Sequence, residues 1–326
     1  MSPPAHDPVS CTVEHRPPRE LPDDILCIDT GFLQPELAAS YLMGSGGRYA
    51  FVETGTALGV PHLLATLDAR GIDRAAVDYV IPTHVHLDHA GGAGSLMAAL
   101  PNARLVIHPR GARHMIDPAK LWAGATAVYG AEVMRTTYGE AVPVAAERVI
   151  EAPDGFELDF NGRVLKFIDT PGHAYHHFCV WDERSRGFFT GDTFGMSLRT
   201  FDTDKGPFVY LPSAPTQFDP QAWHASLERM MAFSPVCMYP THYSRIEQVE
   251  RLADDLHHLI EACVELALEN AGNHGALRNA LAMQMAERLH AHGSPFSNAE
   301  LFARIGDDIE VNAQGLEAWL MRRESA

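Results

Sequence analysis

"THVHLDHAGG", residues 83–92, crowds His84, His86, Asp88 and His89 into one short stretch and ends on two glycines. It follows the apolar run Val80-Ile81 directly. In an extended chain side chains alternate, so His84 and His86 face the same side. A turn after Leu87 brings Asp88 and His89 round to a nearby point, and Gly91 and Gly92 permit close backbone approach there. Imidazole nitrogen and carboxylate oxygen are ligands for Zn²⁺, and equally for Fe or Mn. An open catalytic zinc takes three protein ligands and a water, so four ligands from one segment point to two ions.

Two ions need more donors, and three later stretches offer them. "DTPGHAYHH" (169–177) holds His173, "FFTGDTFG" (188–195) holds Asp192, and "VCMYPTHYS" (236–244) holds His242. Each follows an apolar β-type run, as His84 does, and active-site residues of α/β folds gather where strands end. His62, His108, His114, His257, His258, His274, His290 and His292 stand alone and read as capping or surface residues.

Around these motifs the chain alternates strand-like and helix-like segments. "ASYLMGSGGRYAFVETG" (39–55) reads as a hairpin and "VPHLLATLDARG" (60–71) as a helix stopped by Gly71. Residues 111–140 read mostly as helix, with Trp122, Tyr129 and Tyr138 in it. Residues 154–194 are β-rich, 195–218 form a long loop, and from about 246 the pattern is nearly all helical. "RIEQVERLADDLHHLIEACVELALE" carries a 3.6-residue apolar stripe. The expected organisation is a Pro-rich arm over 1–24, a catalytic domain over 25–244 with a helical insertion at about 111–140, and a helical extension over 245–326. The stripe must be buried on the body or in a homo-oligomer formed through the extension.

Composition narrows the classes. The formal charge of −17 argues against a nucleic-acid partner. No apolar stretch is long enough to span a bilayer, so no membrane partner is expected. The five cysteines are scattered and odd in number, which reads as a reduced, cytoplasmic protein.

"THVHLDHAGG", "TPGHAYHH", "TGDT" and "PTHY" stand in the order of the metallo-β-lactamase superfamily, which residues 25–244 resemble. "FVETG" (51–55) is similar to that family's Asp-Thr-Gly, with Glu53 replacing the aspartate. The resemblance implies an α/β fold, the αββα metallo-β-lactamase sandwich, with a C-terminal helical extension. It implies that His84, His86 and His173 bind one metal, that Asp88, His89 and His242 bind a second, and that Asp192 bridges them. The cofactors would be two divalent metal ions, foremost Zn, with Fe or Mn as substitutes. The activity implied is hydrolysis of a small-molecule ester, thioester or lactone by a metal-bridging hydroxide, with Asp88 the catalytic residue that orients it.

Within the superfamily, the ligand set and helical tail resemble the glyoxalase II branch, and "GHAYHH" resembles a Gly-His-Ala-x-His-His subgroup. His86 stands where the flavodiiron branch has an acidic residue. Lactonases carry a tyrosine soon after the bridging aspartate; here Phe194 follows, and Tyr210 and Tyr243 are the candidate substitutes. His176 and His177 are candidates to orient a ligand or substrate. A strand over 174–181 would set them on opposite faces. Residues 111–140 are a candidate lid. Arg199 and Lys205 read as solvated charges or contacts to an anionic substrate. Two rival readings remain. One is a mononuclear iron enzyme similar to persulfide dioxygenases, using His84, His173 and Asp192. The other is a non-enzymatic metal-binding protein on the same fold.

Overall fold

A computed structural model describes residues 16–212 and 217–324. Most of the expected Pro-rich arm, with Cys11, lies outside the described residues. By their internal contacts the residues fall into two compact units, one up to Val164 and the other from Leu165.

The first unit holds a seven-stranded sheet whose strands lie side by side in chain order. They are β1 (Arg19–Leu21), β2 (Ile25–Asp29), β3 (Ala39–Ser45), β4 (Arg48–Val52), β5 (Val77–Ile81), β6 (Arg104–Ile107) and β7 (Val149–Glu151). β1 to β4 form an antiparallel meander, and β1 lies inside the stretch expected to be an arm. The expected hairpin is closed by Gly46 and Gly47, both at positive φ (58° and 78°), as a two-residue turn between twisted strands requires. β4 to β7 run parallel, which demands crossovers. The crossovers include α1 (Val60–Ala69), then α2 (Leu87–Ala90) and α3 (Ala93–Ala99). Val60, Leu63 and Leu67 form the buried stripe of α1 and meet Phe51, Val80, Leu96 and Leu105 in the core. The expected helical insertion is α4 (Pro109–Ile116), α5 (Ala119–Tyr129), α6 (Ala131–Val133) and a wide π-type turn over Met134–Tyr138. Its placement in this unit sets aromatic residues beside the His84–His89 loop.

A five-stranded sheet runs in the order β12-β11-β10-β9-β8, built from β8 (Glu157–Phe160), β9 (Arg163–Asp169), β10 (Phe178–Asp182), β11 (Gly187–Gly191) and β12 (Cys237–Pro240). β9, β10 and β11 are antiparallel neighbours, β11 and β12 are parallel, and the crossover between the last two includes α7 (Pro220–Met231), capped by Asp219 on the Ala222 amide. The strand expected over 174–181 begins only at Phe178. The Thr170 amide donates to the His177 carbonyl at 3.1 Å and closes residues 170–177, with Pro171-Gly172 at their start, into a loop, so Ala174–His177 belong to the loop and not to the strand.

The extension is α8 (Val249–Glu269), α9 (His274–His292) and α10 (Asn298–Glu324). The α8 stripe of Val249, Leu252, Leu256, Leu259, Ile260 and Cys263 is buried inside the second unit, where α8 packs on α7, α9 and α10. Cys27, Cys179, Cys237 and Cys263 are buried thiols. Among the described residues no helix is long and apolar enough to cross a membrane.

Candidate metal centre

In the first unit the donors sit where β5 ends. Thr83, His84 and His89 are buried, and Asp88 is about one quarter exposed. His84 Nδ1 lies 3.1 Å from the Thr83 hydroxyl, which leaves its Nε2 turned inward, 2.8 Å from His86 Nδ1. His89 presents Nε2 to Asp88 Oδ2 at 3.5 Å. The three imidazoles are gathered, with ring centroids 4.4 Å (His84–His86) and 4.0 Å (His84–His89) apart. Gly92 has the function expected of it. A Cβ there would come within 2.8 Å of the Thr56 carbonyl oxygen, so only glycine lets the helix-bearing loop close on residues 54–56.

Glu53, noted in the sequence only as a departure from Asp-Thr-Gly, is buried beneath these histidines. Its Oε1 lies 3.2 Å from His89 Nδ1, and its two oxygens take the Thr83 hydroxyl and amide. The carboxylate therefore fixes the His89 ring with Nε2 outward, the arrangement that carboxylate–histidine pairs give a metal ligand. The insertion reaches the same loop. Tyr129 and Tyr138 pack ring to ring at 5.8 Å, and Tyr138 also meets Phe32 at 5.9 Å. Burial, then the charge of Asp88, pushes both phenols above their ordinary pKa.

In the second unit His173, Asp192 and His242 are buried together. Asp192 faces two ways: Oδ2 lies 3.2 Å from His173 Nε2, and Oδ1 lies 3.6 Å from His242 Nε2. His173 turns Nδ1 to the Pro212 carbonyl at 2.7 Å, so Nδ1 carries the proton and Nε2 is left as a donor atom for a cation. His177 points elsewhere. Its Nε2 accepts the Asp192 amide at 3.2 Å, and its Nδ1 meets the hydroxyls of Thr170 (2.8 Å) and Thr193 (3.2 Å). That pattern makes His177 a neutral imidazole that holds Asp192 from behind. His176 and Tyr243 are buried; the Tyr243 amide donates to the Ser197 carbonyl at 3.3 Å.

Tyr210 does not present its hydroxyl to a substrate. It is buried and donates to Asp308 Oδ2 of α10 at 3.0 Å. Burial pushes the Asp308 carboxyl up to about 6, while the Tyr210 hydrogen bond and the charge of His242 act the other way. Arg199 and Lys205 are spent internally, Arg199 on Ser197 and Asp202, Lys205 on the Ala291 carbonyl at 2.6 Å. Of the isolated histidines, His108 caps α4 through the Arg110 amide, and His292 and His290 bond the carbonyls of Gly206 and Phe296. The donors of both units fit divalent cations in kind: imidazoles with outer nitrogens engaged, and carboxylates beside them.

Residues 33–242 match the family model for the metallo-beta-lactamase superfamily. The beta-lactamase-like protein 2 homolog of Caenorhabditis elegans is 25% identical over 66% of this chain and 59% of its own length. The metallo-beta-lactamase fold-containing protein ST1585 of Sulfurisphaera tokodaii is 26% identical over 62% of this chain and 70% of its own. An atrochrysone carboxyl ACP thioesterase of Aspergillus fumigatus is 26% identical over 50% of this chain and 42% of its own. The chain thus spans about three fifths of the first of these relatives. The solved structure of ST1585 superposes with a TM-score of 0.60 at 22% identity, over 86% of this chain and 93% of that one. The metallo-beta-lactamase family protein TTHA1429 from Thermus thermophilus gives 0.59 at 21%, over 89% of each. These likenesses show the fold, which is the one expected from the sequence, with helices following its last motif.

Proposed function

This chain belongs to the metallo-beta-lactamase superfamily, and from that premise we propose that it is a dinuclear metal-dependent hydrolase of a small ester, thioester or lactone. His84, His86 and His173 would hold one ion, Asp88, His89 and His242 the other, and Asp192 both. The observation that carries the reading is the two-way aspect of Asp192, one oxygen toward each of two histidines. A carboxylate with a single structural partner has no need of that arrangement. The thioesterase name among the relatives favours a thioester within the substrate class.

Bound there, a cation pair supplies a hydroxide nucleophile near neutral pH and polarises the substrate carbonyl. The chain does the rest. Glu53 and the Pro212 carbonyl fix the rings of His89 and His173 with their Nε2 atoms presented. His177 holds the backbone of Asp192, and so the direction of its carboxylate. Asp88, the more exposed carboxylate of the set, accepts a hydrogen bond from the attacking oxygen and aims it. Tyr129, Tyr138 and Phe32 give the approach an apolar wall for an acyl group. Arg322 donates to the Phe218 carbonyl and Arg323 lies over Trp319, so neither favours a glutathione anchor in the tail. Zinc suits the imidazole-rich set best, and the buried thiols fit a reducing, cytoplasmic setting.

The test is a panel of acyl thioesters, esters and lactones offered to metal-loaded and chelated protein, with Asp192→Ala counted for metal alongside. Turnover of at least one class that is lost on chelation, and a fall in the variant to one ion or fewer per chain, are expected. Two ions retained by Asp192→Ala would refute the bridging role.

A further inference from the structure

We infer that the C-terminal helix α10 is an outer support of the metal centre. It holds the strap Tyr210-Leu211-Pro212 whose last carbonyl orients His173. The inference rests on the reading of His173 as a metal ligand, and it gives the extension a function inside the second unit.

α10 buries Leu301, Ile305, Ile309, Ala313 and Leu316 along one stripe. Asp308 and Asn312, four residues apart, lie one turn from each other on one side of the helix. Asp308 takes the Tyr210 hydroxyl at 3.0 Å, and Asn312 Nδ2 donates to the Leu211 carbonyl at 2.7 Å. The next residue is Pro212, whose carbonyl meets His173 Nδ1 at 2.7 Å. The strap is also anchored by a two-way backbone bridge between Tyr210 and Met196 at 2.9 and 3.0 Å. Met196 follows the Asp192–Gly195 turn, which is closed by the Gly195 amide on the Asp192 carbonyl at 2.9 Å. Two adjacent carbonyls therefore do different work: Leu211 faces the helix and Pro212 faces the ligand. Without Asn312, the strap keeps its anchors at Tyr210, and Leu211, the residue before Pro212, loses the side-chain donor on its carbonyl. An outer partner of a metal-bound histidine is worth roughly 10- to 100-fold in metal affinity, and a support one bond further out belongs at the low end of that range. Asn312 and Asp308 are positioning residues, because neither touches a donor atom.

The test uses the full chain, with zinc affinity read by chelator competition and the ligand field read by the visible spectrum after cobalt substitution. Asn312→Ala should weaken zinc binding about tenfold and shift the cobalt bands. Asn312→Asp, which keeps the size and loses the donor, should do the same, and it guards against a cavity-driven failure to fold. Glu317→Gln is the control. It takes the charge from another α10 anchor, the 2.9 Å pairing with His274 Nδ1, remote in sequence from the strap. Its zinc affinity should equal that of the parent whatever its stability. Parental affinity in both Asn312 variants overturns the inference, and so does an equal loss in Glu317→Gln. His173→Ala separates the two levels. If it keeps its metal, the ligand assignment itself fails. If it loses metal while the Asn312 variants do not, only the role of α10 fails.

Discussion

Replacing Asp308 with asparagine should stabilise the metal-free protein at alkaline pH. Asp308 is buried under α10, and desolvation raises its carboxyl from the ordinary 3.8 to about 6. A group with a raised native pKa contributes stability that is intact below the unfolded value and lost as pH climbs through the native one. The interval from 3.8 to about 6 corresponds to about 3 kcal/mol lost by pH 8. Asparagine cannot ionise, so it avoids that loss, and its side-chain carbonyl still accepts the Tyr210 hydroxyl. The charge assistance of that bond is already contained in the native value of about 6. The net expectation is a gain of about 3 kcal/mol at pH 8, falling away as pH drops from about 6 toward 4. Urea unfolding of chelated parent and Asp308→Asn at several pH values measures it, at constant slope so that midpoints compare directly. Equal stability at pH 8, or a gain that grows toward acid, would show that Asp308 is not a strained buried carboxylate.

His177→Ala should lower turnover about tenfold or more while leaving the metal count unchanged, because it loosens the backbone of Asp192 without removing a ligand; loss of metal on elemental analysis would make His177 a ligand after all. Glu53→Gln should weaken one of two zinc-binding steps about tenfold and leave the other, since His89 keeps a partner but loses a carboxylate. Calorimetric titration separates the steps, and uniform weakening of both would contradict the assignment.

The cluster at 83–92 was legible because ligand chemistry forces unusual spacing, and spacing survives in sequence. The hairpin at 39–55 and the α8 stripe were legible because turn chemistry and periodicity are local. The strand expected over 174–181 starts four residues late, because the alternation of side chains over Ala174–His177 carries no information on the loop that the Thr170 amide closes on the His177 carbonyl. Glu53 showed itself only as a mismatch to a family motif; its hold on His89 depends on β4 and β5 lying side by side. Asp308 and Asn312 left no signal, because a polar pair on an amphipathic helix reads as solvent-facing until the docking partner is known. Arg199 and Lys205 illustrate the same limit, since their internal partners are distant carbonyls and short-range turns.

The most direct test of the central claim is metal stoichiometry of the purified protein, counted per chain by elemental analysis without added metal. Two ions per chain are expected, zinc or a mixture with iron or manganese. A single iron per chain would contradict it and point to the one-iron oxidative reading built on His84, His173 and Asp192, while no metal, with none taken up on incubation, would remove the case for a metal-dependent enzyme.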